Sequence, residues 1–335
     1  MAVTQKDIAE RLGISQQAVA SALSGRGGSR LSETTRSKVL REAELLNYRP
    51  NLVARALTRQ RTNLIAVWTK NLSSPFYAHL LHHIELQLRS SDYEMIVRVI
   101  PEDASSAVTK KWQTTQWPVD GILAIEAAQH AHQFLKTRTG SPLPLVCVGG
   151  YDSTVPELDF VWVDLYQGTL EAVQHLLAQG CQRVATLIHG MGFKAGNPRH
   201  DAYVAVMEAA GRTPEFIVVP ETTRAASQIA LQTYVSEHGC PDGLFCYNDD
   251  LAIGAYRFLR KSGREIPKDV ALVGCDGIED VEYLEQPLST IITPIEEMCS
   301  KAWKLLQRRM DDSAVGPQHE VLPSHLTIRN SSQRK

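Results

Sequence analysis

The stretch VTQKDIAERLGISQQAVASALS, residues 3–24, holds two short apolar periodicities separated by one glycine. Thr4 is placed to N-cap a first helix with Asp7 at the capping-box position, and Ile8, Ala9 and Leu12 fall on one face. Gly13 stops that helix. Ser15 can cap a second, from Gln16 to about Ser24, whose inner face is Val19, Ala22 and Leu23. A third helix is predicted from Ser32 through Val39, Leu40, Ala43 and Leu46, ending at Asn47-Tyr48-Arg49-Pro50. Two short helices across a tight glycine turn form a helix-turn-helix, whose second helix enters the major groove of DNA. Gln16 and Gln17 then sit on the exposed first turn, with Ala20 and Ser21 further along. Glutamine suits bidentate contact with adenine, and serine can contact several bases.

Outward from this head, the chain runs to Pro50-Asn51-Leu52-Val53-Ala54-Arg55-Ala56-Leu57, and on to Arg61. Asn51 is a candidate N-cap for a helix of two turns at most. Such a helix is marginal alone in water. Either it forms when packed, for instance against its twin in a dimer on DNA, or the segment is a plain linker. Residues 1–61 hold eleven Lys and Arg against five Asp and Glu, a net +6, which leaves −8 on the other 274 residues. The whole chain, with 35 Lys+Arg and 37 Asp+Glu, nets −2 and hides this split. A basic head suits a polyanion.

From Thr62 onward, short apolar strands alternate with helical stretches. Strands are predicted at Leu64–Trp68, Glu94–Val99, Gly121–Ile125, Leu145–Val148, Arg183–Ile188, Phe216–Val219, Gly243–Cys246 and Ala271–Gly274. Helices are predicted at Phe76–Leu88, Gly168–Ala178, Ala225–Glu237 and Leu251–Lys261. Runs without polar alternation are expected of parallel strands buried on both faces. The fold class is therefore an all-α helix-turn-helix head with a hinge helix, followed by an α/β body of two doubly wound parallel-sheet lobes. Ligands of such sheets sit beyond the carboxyl ends of the strands. No apolar run approaches the ~20 residues of a membrane span, and the polar N-terminus is not a signal peptide. A cytoplasmic location is expected, and the six cysteines, without a CxxC pair, fit a reducing compartment.

These segments together resemble the LacI/GalR family of transcription regulators. The resemblance is carried by VTQKDIAERLGIS, AVASALSG and LSETTRSKVLREAELLNYRPNLVARAL in the head. In the body it rests on Ser74-Pro75-Phe76-Tyr77, Val163-Asp164-Leu165-Tyr166-Gln167-Gly168, Tyr247-Asn248-Asp249-Asp250, Ile266–Gly277 and Pro287–Ile291. It implies a homodimer on a pseudo-palindromic operator, with a periplasmic-binding-protein-like body that binds a small effector, expected to be a carbohydrate. Repression is the expected sign. The implied DNA contacts are Thr4, Ser15, Gln16, Gln17, Ser21, Arg26, Asn51, Arg55 and Leu57, the last as an apolar wedge in the minor groove. The implied effector contacts are Phe76, Tyr77, Arg199, Asn248 and Asp276. The implied domains are 1–49 (head), 50–61 (hinge) and 62–335 (body). Within the body, the N-lobe takes about 62–163 plus 291–321, and the C-lobe about 164–290 plus 322–330.

Departures from the family pattern bear on specificity. Ala20-Ser21 stands where Ser-Arg is common, which removes a base or phosphate contact. Tyr247 replaces a small residue before the asparagine, Gly277 a second aspartate, and Thr293 a glutamine. Local readings compete at each effector position: Asn248 or Asp249 can cap a helix, and Asp276 can close a turn.

Other classes have weaker anchors. Gly190-Met191-Gly192-Phe193-Lys194-Ala195 resembles a dinucleotide loop, but Gly196-Asn197-Pro198 delays the helix that such a site needs. GxxxxGK[ST], GxSxG and HExxH are absent from the sequence. His79 and His83 are four apart on a predicted helix beside His82, with no acidic third ligand at motif spacing. No enzyme activity, cofactor or metal is expected. A pure solute-binding protein would share the body but lack the basic reader.

Overall fold

The computed structural model describes residues 3–23, 31–49, 61–100, 118–137 and 143–334. The chain divides into two compact units, Met1–Thr62 and Asn63–Lys335.

In the first unit, α1 spans Gln5–Leu12, α2 Gln16–Leu23 and α3 Glu33–Leu45. Thr4 and Asp7 form a reciprocal capping box: Asp7 N–H donates to Thr4 Oγ1 at 3.3 Å, and Thr4 N–H to Asp7 Oδ2 at 2.7 Å. Gly13 takes the left-handed conformation, φ 63°, and its N–H donates to Ala9 O. Ser15 Oγ accepts from Ala18 N–H at 3.2 Å. Ile8, Ala9, Val19, Ala22, Val39 and Ala43 close the core between the three helices. Leu40 of α3 is 49% exposed. Adjacent helical positions point about 100° apart, and the i, i+4 pair Val39 and Ala43 already fills the seam.

The second unit is built on two six-stranded sheets. The first contains β1 (Leu64–Thr69), β2 (Glu94–Val99), β3 (Gly121–Ile125), β4 (Leu145–Gly149), β5 (Asp159–Asp164) and β11 (His319–Pro323), in the order β11-β5-β4-β3-β1-β2. The second contains β6 (Val184–His189), β7 (Glu215–Val219), β8 (Gly243–Cys246), β9 (Ala271–Asp276), β10 (Ser289–Ile292) and β12 (His325–Thr327), in the order β12-β10-β9-β8-β6-β7. Every pairing is parallel except β10 with β12. Helices α4 (Pro75–Arg89), α5 (Ala128–Thr137), α6 (Leu165–Ala178), α7 (Pro198–Ala209), α8 (Arg224–His238), α9 (Asp249–Lys261) and α10 (Ile295–Asp311) connect and cover them.

β1 and β3 are buried along almost their whole length, as their unbroken apolar sequences require. β2 lies at the sheet edge and exposes Val97 and Val99. Four strands, β5, β10, β11 and β12, were not expected from the sequence. The chain crosses between sheets after Asp164, Ile292 and Pro323. Ile292 is still paired with Asp276 of β9, which keeps it in the second sheet. At one crossing the two sheets' elements approach so closely that a Cβ on Gly168 would lie 2.4 Å from Ser324 Oγ and 2.7 Å from an Ile291 methyl.

Candidate functional site

The polar groups of interest gather where the carboxyl ends of the two sheets' strands carry their loops. β8 leads into Tyr247-Asn248 and then α9, whose N-cap is Asn248; its Oδ1 accepts from Leu251 N–H at 2.9 Å. The local capping role is therefore real, and it leaves the Asn248 amide nitrogen for another partner. The next residue, Asp249, is fully buried. It accepts from Thr290 Oγ1 at 2.7 Å, Gly277 N–H at 2.8 Å and Ile278 N–H at 3.0 Å. One carboxylate thus ties the start of α9 to the turn after β9 and to β10.

That turn presents Asp276, which has φ 121°, a conformation that side-chain-bearing residues rarely adopt. Gly274 makes room for the arrangement, because a Cβ there would fall 2.2 Å from Asp249 Oδ1. Burial pushes the Asp276 carboxyl well above its ordinary pKa; the charge of Asp249 adds to this and Arg199 opposes it. Burial also raises Asp249, against the three hydrogen bonds that favour its ionised form.

Arg199 lies in the first turn of α7, after Pro198 at the helix start and the N-cap Asn197. Its guanidinium carbon stands 3.4 Å from the centroid of the Tyr247 ring, and Nη1 donates to Tyr247 O at 2.9 Å. Its Nε is buried and has no hydrogen-bond partner among the described residues. The tyrosine that departs from the family pattern is thus the platform for the arginine. The same ring packs against Gly192, where a Cβ would fall 2.5 Å from it. The glycine loop is filled by this ring, and α7 begins only at Pro198.

From the first sheet, Tyr77 at the start of α4 donates a short hydrogen bond to Glu126 Oε2, just beyond β3. Tyr77 senses the charge of Asp276, and Arg199 that of both Glu126 and Asp276. Arg199 Nη1 also stands 4.0 Å from Cys275 Sγ, the residue before Asp276, which brings these groups toward one candidate site. Phe76 is placed differently from the expectation. It is only 9% exposed and packs into the hydrophobic core, with its ring edge-on to Tyr77 at 5.5 Å. Successive helical residues diverge by about 100°, so one ring faces the core while its neighbour faces the site. Ser74, the N-cap position of α4, donates to Asp250 Oδ2 at 2.9 Å, a bond from the first lobe to the second. Asp250 also accepts from Arg224 Nε at 2.8 Å, and Arg224 Nη2 donates to Asp280 at 2.8 Å.

Glu126, Asp249 as a clamp, Asp250, Arg224 and Asp280 were not among the expected site residues. Glu126 carried the same signal as Asp276, an acid closing an apolar strand. Arg224 carried none, since a lone arginine at a helix start is commonplace.

In the head, Ser15, Gln16 and Gln17 are exposed and Ser21 is half-buried. Thr4 is engaged in its capping box. Arg26, Asn51, Arg55 and Leu57 lie outside the described residues. Among the described residues no group of three His, Cys, Asp or Glu side chains could hold a metal ion, and no helix is long and apolar enough to cross a membrane.

The periplasmic binding protein-like domain family matches residues 173–332. The transcriptional regulator DegA of Bacillus subtilis (strain 168) is 28% identical, covering 99% of this chain and 98% of its own. A Lac repressor dimer solved with operator and the anti-inducer ONPF shares the fold, with a TM-score of 0.85 at 24% identity over the full length of both chains. The regulator CelR in complex with cellobiose superposes with a TM-score of 0.69 at 25% identity, covering 98% of this chain and 99% of that one. With its three-helix head and two-sheet body, the chain is similar over its whole length to transcriptional regulators, and residues 173–332 match the periplasmic binding protein-like domain.

Proposed function

We propose that the protein is a cytoplasmic, homodimeric repressor whose operator affinity is set by a small polyhydroxylated effector bound between the two lobes. Paired heads would read a pseudo-palindromic operator through Gln16, Gln17 and Ser21, with Leu57 of each chain at its centre. The observation that carries the effector reading is the meeting of Tyr77, Arg199 and Asp276 at the carboxyl ends of both sheets. Arginine and carboxylate together can hold neighbouring hydroxyls from both sides, and Tyr77 offers an aromatic face. CelR, solved with cellobiose, supports a carbohydrate.

The Ser74–Asp250 hydrogen bond gives the lobes one direct link at the site. A ligand that changes the lobe geometry shifts the balance between two arrangements of the body. Operator and effector affinities then change one another by the same factor. A thermal-shift screen of sugars, nucleosides and phosphosugars tests the reading, with each hit retested for its effect on operator binding. The expected hit raises the unfolding midpoint of the wild type and not of a folded Arg199→Ala variant. A shift retained in full by that variant removes Arg199 from the site.

A further inference from the structure

Arg199 is held on two sides by one neighbour. Its guanidinium carbon stands 3.4 Å from the centroid of the Tyr247 ring, and its Nη1 donates to the Tyr247 carbonyl at 2.9 Å. Nη1 also lies 4.0 Å from Cys275 Sγ, which is fully buried in β9. Both hydrogen-bond contacts use the same nitrogen. Nε is enclosed and has no partner, and Nη2 donates to no group among the described residues. Tyr247 is itself fixed. Its N–H continues the pairing of β8 with β6 by donating to Leu187 O at 2.8 Å. Its ring is backed by Gly192, where a Cβ would fall 2.5 Å from the ring Cε2 and 3.1 Å from Cζ. Gly192 N–H is pinned in turn to His189 O at 2.8 Å. A guanidinium stacked on a ring keeps one free rotation, in the plane parallel to that ring. The bond from Nη1 to the carbonyl removes it. What remains is the edge made by Nε and Nη2, whose parallel N–H bonds match two adjacent oxygens.

We propose that Tyr247 is a positioning residue for the cleft ligand, locking Arg199 so that its Nε–Nη2 edge meets two adjacent ligand oxygens. This rests on the effector reading above and adds which residue orients the arginine. The ring carries the role together with the main-chain carbonyl, and the hydroxyl does not. A small residue at 247, the pattern from which this chain departs, leaves the guanidinium able to swing about its one remaining bond. The ligand then has to order it, at a cost in affinity.

Two readouts on the full chain test this, and the first needs no ligand. Arginine Nε–H signals are recorded by proton–nitrogen correlation NMR, with that of Arg199 assigned by its loss in Arg199→Lys. Its place against an aromatic ring should displace its proton shift from those of exposed arginines, and enclosure should slow its exchange with water. Tyr247→Phe should keep both features. Tyr247→Leu should lose them, and Gly192→Ala, which reaches Arg199 only by pushing the ring, should alter them. An Arg199 signal unaltered in Tyr247→Leu overturns the positioning. The second readout is calorimetric titration with ribose, glucose, galactose, cellobiose and glucuronate, each variant being checked for an intact unfolding transition. For a probe that binds the wild type, Tyr247→Leu should weaken binding about tenfold, and Tyr247→Phe should restore it to within about twofold. Full affinity in Tyr247→Leu, or a loss as large in Tyr247→Phe, overturns the proposal. Absence of binding by all five contradicts the carbohydrate reading, while the NMR comparison still decides whether Tyr247 orients Arg199.

Discussion

Asp249 does work that a ligand cannot share, because its two oxygens accept from Thr290, Gly277 and Ile278. Its effect on a ligand passes through Asp276, which it holds in a strained backbone conformation at the end of β9. Gly274→Ala tests this without touching any polar group. The added methyl would lie 2.2 Å from Asp249 Oδ1 and must displace it. The expected outcome is a loss of about 1–3 kcal/mol of stability, as overpacking typically costs. Effector affinity should fall by more than the matching change in folded fraction. Urea unfolding and effector titration on the same variant measure both; unchanged affinity in a destabilised variant would detach the clamp from binding. At this scale the sequence was legible in part. Asn248 and Asp276 were implied by the family resemblance, on polar residues that follow apolar strands, and Glu126 follows one in the same way. Tyr77 and Phe76 could not be told apart, because which of two neighbouring rings faces the core depends on the rotation of α4. Arg224 was hidden, since its partners Asp250 and Asp280 come from other elements.

Among the elements, α2 is the proposed reading helix. Its inner residues Val19 and Ala22 lock it against α1 and α3, which fixes Gln16 and Gln17 outward on the first turn. Replacing Gln17 by Ala should cost about 1–3 kcal/mol on the best operator and relax the requirement at one base position. Binding measured across a library of operator variants checks this, and an equal loss on every sequence would make Gln17 a backbone contact. Helices and central strands were readable because amphipathic period and unbroken apolar runs are strong local signals. The strands that escaped are of another kind. β11 begins with His319-Glu320 and ends at Pro323, at a sheet edge where His319 Nε2 pairs with Leu158 O and Lys301 Nζ donates to Glu320. β10 and β12 are only four and three residues long. Pairing with a distant strand, which no local window contains, is what makes them strands.

Across the whole molecule, the net charge of −2 averages a +6 head and a −8 remainder. Part of that acidic excess is the buried group around Asp249 and Asp276. Burial raises both carboxyls, and for Asp249 the value is pushed up to about 7. A carboxyl whose folded pKa exceeds its unfolded one holds its proton longer in the folded state. Its stabilisation is complete below the ordinary carboxylate pKa of about 4 and is lost as pH rises through the raised value. The ligand-free protein should therefore unfold at lower temperature near pH 8 than near about pH 5, with Asp276→Asn flattening the dependence. A profile unaltered by that substitution would place the cause elsewhere. Coupling between body and head remains the centre of the account, and one measurement addresses it directly. Operator affinity is titrated with and without a saturating effector, and effector affinity with and without saturating operator. Two equal factors different from one are predicted, at fixed salt, since phosphate contacts alone shift affinity with ionic strength. A factor of one in both directions, with the effector demonstrably bound, would contradict the account.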